Sequence, residues 1–197
     1  MARKAEVTRK TLETDIEIAL DLDGTGSSSV DTGVGFFNHM LTLFAKHGLF
    51  DISVRARGDL DVDAHHTVED TGICLGKAFA DALGGKQGIQ RYGSVQVPMD
   101  EALASVVVDI SGRPFLVFNA PPALSAGRTG DFDVELVEEF FRAFATNAGI
   151  TLHINVLYGR NVHHMVEAIF KGAGRAMSMA TRVSPGIQGV LSTKGLL

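Results

Sequence analysis

The chain has 197 residues, 45% of them hydrophobic, and a formal net charge of −5. This size and apolar content support one substantial globular unit, and the negative charge argues against nucleic-acid or anionic-membrane partners, which require a basic surface. We expect no membrane association, because the first residues lack the apolar segment of a signal peptide and no stretch approaches the roughly 18 apolar residues of a membrane span. A cytoplasmic location is the simplest expectation, with an organellar protein in mature form as the alternative.

Four elements are predicted in the first half of the chain. Residues 14–24 alternate apolar and polar side chains and end in a glycine turn, which is typical of a half-buried strand. A helix rich in Phe, Leu and Ala is predicted over 35–47, and a strand over 50–56. A second helix is predicted to begin near His65.

The second half repeats this order. A strand is predicted over 102–112, a helix over 134–145, a strand over 150–156 and a helix that begins near His163. Two homologous halves, about 1–90 and 91–197, predict a single globular unit of the α+β class. We expect an internally duplicated two-layer sandwich, in which each strand-helix-strand-helix half packs its sheet on its helices.

Two segments that could suggest other chemistry are interpreted as structural. Cys74 is the only cysteine, so it cannot form an internal disulfide, and its apolar neighbours predict a buried side chain. The Gly/Ser stretch 24–29 lacks the terminal Gly-Lys-Ser/Thr of a phosphate-binding P-loop, so a hairpin or loop is predicted there.

The pattern His-His-x-x-Glu occurs twice, at 65–69 and 163–167, and contains four of the seven histidines. In a helix the first histidine and the glutamate share one face, whereas the second histidine points elsewhere. One helix can therefore contribute to two metal sites. The preceding helix of each half carries a further candidate ligand at a similar separation, His39 in the first half and Glu139 in the second.

The simplest symmetric assignment gives two metal sites. Each site takes the first histidine and the glutamate of one motif, the second histidine of the other motif, and one residue of a preceding helix. The two motifs could meet within one subunit or across a subunit boundary. Site one would be His65, Glu69, His164 and Glu139; site two would be His163, Glu167, His66 and His39.

Imidazole and carboxylate ligands suit divalent ions such as Mn, Fe, Co, Ni or Zn, and the lack of thiolates argues against a closed structural zinc site. A metal with open positions for a substrate is therefore predicted. The alternative, in which the histidines are helix caps or packed polar groups, is disfavoured because the motif is doubled.

Six segments carry a family resemblance, in order and over nearly the whole chain: 23–26, 32–41, 63–70, 111–115, 161–168 and 192–195. Together they resemble the imidazoleglycerol-phosphate dehydratases of histidine biosynthesis. The resemblance implies a hydro-lyase with two Mn²⁺ ions per active site. It also implies active sites between subunits of a homo-oligomer, a 24-subunit cage.

The implied reaction removes water from imidazoleglycerol phosphate and gives imidazoleacetol phosphate. The hydrogen to be lost is next to no carbonyl, so two metal ions on the ring nitrogens would be needed to hold the ring as an imidazolate. An acid/base group must then move protons at the neighbouring carbons. The resemblance assigns this role to Glu13, which on sequence alone is a charged residue at a strand start; Glu69 and Glu167 could also shuttle protons.

The phosphorylated substrate further implies convergent cations and N–H donors. His47 could reach the substrate, or it could simply end its helix, where a histidine favours the helix dipole. Without the resemblance, each cation of the set would be interpreted as an ordinary surface residue. The phosphate set comprises Arg91, Arg113, Lys171, Ser192, Thr193 and Lys194.

Two positions depart from the family pattern. Glu139 stands where many relatives carry histidine, although a carboxylate is an acceptable ligand there, and Asn38 stands where aspartate is common. Asp70 could orient an imidazole N–H or be an ordinary helix-surface acid. His153, on a predicted strand, could face the site or be packed and hydrogen-bonded.

Two other functions compete with the dehydratase. A dinuclear metallohydrolase should show Asp-rich bridging ligands, and no such cluster stands out beyond Asp61 and Asp63. A non-catalytic metal-binding cage would bind metal without turnover and would leave the phosphate set unexplained. The dehydratase is therefore the leading hypothesis.

Overall fold

Residues 3–197 are described by a computed structural model, and the first half of the chain forms a four-stranded sheet and two helices. Each half contributes the same series of elements. In the first half they are β1 (Lys4–Lys10), β2 (Thr14–Asp21), β3 (Ser28–Asp31), α1 (Gly35–Gly48), β4 (Asp51–Gly58) and α2 (His65–Leu83).

The second half adds a short insertion before its first helix. A 3-10 turn (Pro122–Leu124) and the two-residue strands β8 (Arg128–Thr129) and β9 (Phe132–Asp133) form this insertion. The other elements are β5 (Tyr92–Met99), β6 (Ala102–Asp109), β7 (Phe115–Asn119), α3 (Leu136–Ala148), β10 (Thr151–Tyr158) and α4 (Val162–Thr181).

The two large sheets have the same topology. Their strand orders are β1-β2-β4-β3 and β5-β6-β10-β7, with the third strand of each half parallel to the fourth and the other neighbours antiparallel. The predicted duplicated α+β sandwich is confirmed. The predicted division near residue 90 lies in the connection between α2 and β5.

Each large sheet has two strands beyond those predicted, β1 and β3 in the first half and β5 and β7 in the second, and the short strands β8 and β9 were not predicted either. β1 buries only one side chain, Val7, and β3 is four residues long with none buried, so neither shows the alternation of a half-buried strand. The loop predicted over 24–29 is therefore too long, because Ser28 and Ser29 already pair with β4.

The helix-to-strand junctions of the two halves correspond residue by residue. α1 is followed by Leu49 and α3 by Gly149, both in the left-handed conformation (φ 59° and 64°). The next residue returns its N–H to the helix in both cases, Phe50 to the Ala45 carbonyl and Ile150 to the Ala145 carbonyl, each at 3.1 Å. Residues of the first half thus match residues 100 positions later in this region.

The helical layers of the two halves pack against each other, α2 on α3 and α1 on α4, with the sheets outside. Glycines allow the close approach: a Cβ at Gly72 would lie 2.7 Å from the Phe140 carbonyl oxygen, and one at Gly174 would lie 2.4 Å from that of Phe44. Phenylalanine rings, Phe44 among them, fill the space between the helices.

None of the helices in residues 3–197 is both long and apolar enough to cross a bilayer. The cytoplasmic location stays a prediction.

Candidate metal centres and anion pocket

The two His-His-x-x-Glu motifs form the first turns of α2 and α4. A polar side chain two residues before each motif fixes its first histidine. The backbone N–H of His65 donates to Asp63 at 2.7 Å, and that of His163 donates to Asn161 at 2.9 Å. These bonds satisfy N–H groups that a helix start otherwise leaves unpaired. The same type of bond therefore holds the first histidine of each motif, although His65 is the first residue of α2 and His163 the second of α4.

His39 on α1 meets His163 and Glu167 on α4. The Nε2 atoms of both histidines lie 3.0 Å from Glu167 Oε1, and one ligand atom from each residue falls within 4.8 Å of the others. In the described part of the chain, no other group of three or more His, Cys or carboxylate side chains is this compact. These are three of the four residues predicted for site two.

Glu167 is buried but ionised. Its burial opposes the charged form, yet hydrogen bonds from Lys171, His39 and His163 outweigh this effect and lower the pKa to about 2. Lys171 Nζ donates to Glu167 Oε2 at 2.5 Å and to Met99 Sδ at 3.4 Å. The structure therefore places Lys171 beside the predicted metal ligand Glu167 and not with the other cations of the predicted phosphate set.

The residues predicted for site one are more open. His65 Nε2 lies 4.0 Å from Glu69 Oε2, and 43% of each side chain is exposed. Glu139, on α3, lines a cavity of about 400 Å³ together with His65. Within one chain, the site-one residues His65, Glu69 and Glu139 are therefore accessible from solvent.

The second histidine of each motif turns away from both clusters, as the 100° step between neighbouring helix residues requires. His66 Nδ1 lies 3.0 Å from Asp59, and His164 Nδ1 lies 2.7 Å from Glu101. These carboxylates raise the pKa of both histidines. A single chain consequently does not bring His66 to site two or His164 to site one.

Asp70 has neither of the roles considered from the sequence. It is buried, forms an ion pair with Arg9 and accepts a hydrogen bond from Thr14 Oγ1 at 2.5 Å. It thereby ties the turn between β1 and β2 to α2. Glu13 lies on this turn, exposed, with its carboxylate 3.9 Å from His66 Nδ1.

Most of the predicted phosphate set lines one cavity of about 1040 Å³ near the C-terminus. Arg91 is held there by two hydrogen bonds to Asp109 (2.7 and 3.1 Å) and one to the Leu191 carbonyl (2.8 Å). Arg113 also pairs with Asp109 (3.7 Å), and Lys194 lines the same cavity, so three cations lie around one opening, which suits an anion. The members in the cavity are Arg91, Arg113, Ser192, Thr193 and Lys194.

Three other positions are now placed. His47 lies at the end of α1. Its pKa is lowered mainly by partial burial and, to a smaller extent, by the positive charges of Lys171 and Arg175. His153 is exposed on β10, and its strand neighbours Leu152 and Ile154 are buried. Because neighbouring residues of a strand point to opposite faces, His153 faces away from the helices. Asn38 accepts hydrogen bonds from the backbone and hydroxyl of Thr32 and so fixes the start of α1.

Sequence reasoning missed three residues that contact the motif histidines. Phe36 packs edge-on against His163, with ring centroids 5.2 Å apart. Asp59 and Glu101 bind the second histidines, as described above. Glu101 had one available signal, because it immediately precedes β6 just as Glu13 immediately precedes β2.

Residues 32–177 match the family model described as imidazoleglycerol-phosphate dehydratase. A curated relative with that name from Acetivibrio thermocellus is 61% identical over 197 residues, which is 100% of both chains. The crystal structure of imidazoleglycerol-phosphate dehydratase from Staphylococcus aureus has a TM-score of 0.82 and 45% identity, covering 92% of this chain and 99% of that one. The corresponding structure from Pyrococcus furiosus has a TM-score of 0.83 and 38% identity, covering 97% and 100%.

Proposed function

Because the chain belongs to the imidazoleglycerol-phosphate dehydratase family, we propose that it dehydrates its substrate with the imidazole ring bound by two Mn²⁺ ions. Membership makes the chain a hydro-lyase of histidine biosynthesis. The substrate is imidazoleglycerol phosphate and the product is imidazoleacetol phosphate. Metal dependence and two-ion binding are the parts that this proposal adds.

The convergence of His39, His163 and Glu167 carries the proposal. Their nitrogen and oxygen donors lie within 4.8 Å of one another, and the carboxylate is ionised despite its burial. Two imidazoles and a carboxylate are a donor set that suits Mn²⁺ and neighbouring divalent ions. When bound, two such ions would act as Lewis acids on the two ring nitrogens of the substrate and favour its imidazolate form.

The ligand sets are completed across a subunit boundary. His66 lies outside the site-two cluster of its own chain, so the crossed assignment needs the α2 motif of one subunit to meet the α4 motif of another. A ligand set completed across a boundary supports a homo-oligomer, and the family resemblance supports the 24-subunit cage as its specific form.

Glu13 would enter the shared site together with His66. Its carboxylate lies 3.9 Å from His66 Nδ1, so the α2 motif that supplies His66 to site two would also place Glu13 near the substrate. There it can take the proton from the second side-chain carbon as the hydroxyl leaves the carbon next to the ring, and it can deliver a proton to the carbon next to the ring when the resulting enol becomes the ketone. Glu69 and Glu167 hold metal and provide further proton acceptors.

Phosphate binding is assigned to the cavity lined by Arg91, Arg113 and Lys194. Arginines with a planar array of donors bind phosphate oxygens in pairs. Asp109 fixes the Arg91 guanidinium in advance, which reduces the ordering cost of binding. Lys171 lies outside this cavity and stays a candidate only through its contact with Glu167.

The test is turnover of imidazoleglycerol phosphate by metal-depleted protein, with and without added Mn²⁺. We expect Mn²⁺ to restore product formation, and His65→Ala or His164→Ala to abolish the restoration. His153→Ala is the matched control, since this exposed histidine faces away from the motifs and its loss should leave activity unchanged. Metal binding without product in the native protein would contradict the proposal and favour the non-catalytic cage.

A further inference from the structure

The sheet register makes Glu13 and Glu101 equivalent residues of the two halves. Val54 of β4 corresponds to Ile154 of β10 through the junctions described above. In the two sheets these residues pair with Ile18 of β2 and Val106 of β6, respectively. Counting five residues back along each strand reaches Glu13 in one half and Glu101 in the other.

Glu101 is fully engaged in holding the start of α4. Its Oε1 accepts the backbone N–H groups of Arg160 (3.1 Å) and Asn161 (2.7 Å), and its Oε2 lies 2.7 Å from His164 Nδ1. About a quarter of each of the two side chains is exposed. The carboxylate therefore has a fixed position, and it holds the His164 ring in a fixed orientation.

In the first half a different residue makes the equivalent contact. Asp59, which follows β4, places its two oxygens 3.0 and 3.2 Å from His66 Nδ1. Glu13 lies 3.9 Å from the same nitrogen, beyond hydrogen-bonding distance. Glu13 therefore does not make the contact with the second histidine that Glu101 makes in the second half.

We propose that Glu101 and Asp59 are positioning residues that fix the second histidine of each motif for metal binding, and that this leaves Glu13 free to transfer protons. A neutral imidazole has one N–H, and a carboxylate at Nδ1 keeps the proton there, so that the Nε2 lone pair faces the metal. This inference rests on the proposed metal sites. It adds that Glu101 positions a metal-binding histidine, whereas its duplicated counterpart Glu13 acts on the substrate.

The test is Mn²⁺ binding to metal-depleted protein, followed by the loss of the electron-spin-resonance signal of free Mn²⁺. Glu101→Gln retains an oxygen for the Arg160 and Asn161 amides but turns its NH₂ toward His164, which favours the wrong tautomer. We expect a 10- to 100-fold loss of affinity at one of the two metal sites. Asp59→Asn should weaken the other site by a similar factor.

Glu13→Gln should retain both Mn²⁺ affinities and lose turnover, whereas Glu17→Gln, an exposed glutamate paired with Arg55, is the matched control and should change neither. Unchanged Mn²⁺ affinity in both Glu101→Gln and Asp59→Asn would overturn the inference while leaving the metal sites intact. If the native protein bound no Mn²⁺, the proposed metal sites would fail first and this inference with them.

Discussion

At the scale of single residues, Glu167 links stability to metal binding. It is a buried carboxylate that receives hydrogen bonds from His39, His163 and Lys171. Without metal, Lys171 is the positive charge that contacts the Glu167 carboxylate. A divalent ion bound by the two histidines would supply part of that positive charge. The contribution of Lys171 to stability should therefore depend on metal.

We predict that Lys171→Met lowers the free energy of unfolding of the metal-free protein by about 2 kcal/mol, because a hydrogen bond to a buried charge is lost. The loss should shrink when Mn²⁺ is bound. Thermal unfolding with and without Mn²⁺ measures both values. Arg55→Met, which breaks an exposed pair with Glu17, is the control and should cost at most about 1 kcal/mol.

This stabilisation should also depend on pH. The pKa of Glu167 in the folded state is about 2, below its ordinary value of 4.5. Its ionised form therefore stabilises the fold fully above pH 4.5, and this contribution is lost as the pH falls toward 2.

The Lys171→Met prediction has a clear contradicting outcome. If the variant lost the same free energy of unfolding at pH 7 with and without Mn²⁺, Lys171 and the metal would not share the stabilisation of Glu167.

Cys74 illustrates a residue that its environment makes inert. It is fully buried on α2, and burial raises the pKa of its thiol to about 11. Because the thiolate is the reactive species, we predict negligible alkylation by iodoacetamide at pH 8 in the native protein and complete alkylation in urea. Mass spectrometry of the intact chain gives the extent, and rapid native labelling would show that α2 opens readily.

At the scale of elements, glycines decide how closely the helical layers approach. Alanine is intrinsically better than glycine in a helix by about 1 kcal/mol, but at Gly72 its Cβ would meet the Phe140 carbonyl oxygen at 2.7 Å, closer than real Cβ contacts. The obstacle is backbone, which cannot rotate aside. Packing should therefore override propensity at this crossing.

We predict that Gly72→Ala destabilises the protein by about 1–3 kcal/mol, as overpacking does in other cores. Gly35→Ala, at the start of α1, is the matched control, because no atom lies within 4 Å of its added Cβ. It should be neutral or slightly stabilising. Urea unfolding of both variants measures the difference, and equal stabilities would show that α2 and α3 can separate without cost.

The same scale explains what the sequence could predict. α1 was predicted over 35–47 and spans Gly35–Gly48, because its apolar residues recur with helical period and it ends beside a glycine. β1 and β3 were missed because edge strands bury few side chains. Glu101 was missed because its role depends on the approach of α4 to a turn 63 residues earlier in the chain. Asp59 was missed because it lies in the loop before α2, seven residues from His66, where no helical period relates the two. Asp70 was misjudged because its partners, Arg9 and Thr14, lie on two other elements, β1 and β2.

At the scale of the whole molecule, each duplicated half contributes one helix to each of two sets of candidate metal ligands. α4 and α1 present His39, His163 and Glu167, whereas α2 and α3 present His65, Glu69 and Glu139. The α2 set also includes His66 and the α4 set also includes His164, and in the crossed assignment each of these second histidines completes the metal site of the opposite set. The central claim is that the α2 set of one subunit meets the α4 set of another.

Coexpression of two inactive variants tests this claim most directly. His65→Ala damages only the α2 set and His164→Ala only the α4 set, so random assembly of equal amounts of both chains should give about a quarter of sites with two intact sets. The account predicts about a quarter of native Mn²⁺-dependent activity. Coexpressed His65→Ala and His66→Ala chains, both damaged in the α2 set, should stay inactive. A His65→Ala and His164→Ala mixture as inactive as each variant alone would place the whole site within one chain and contradict the account.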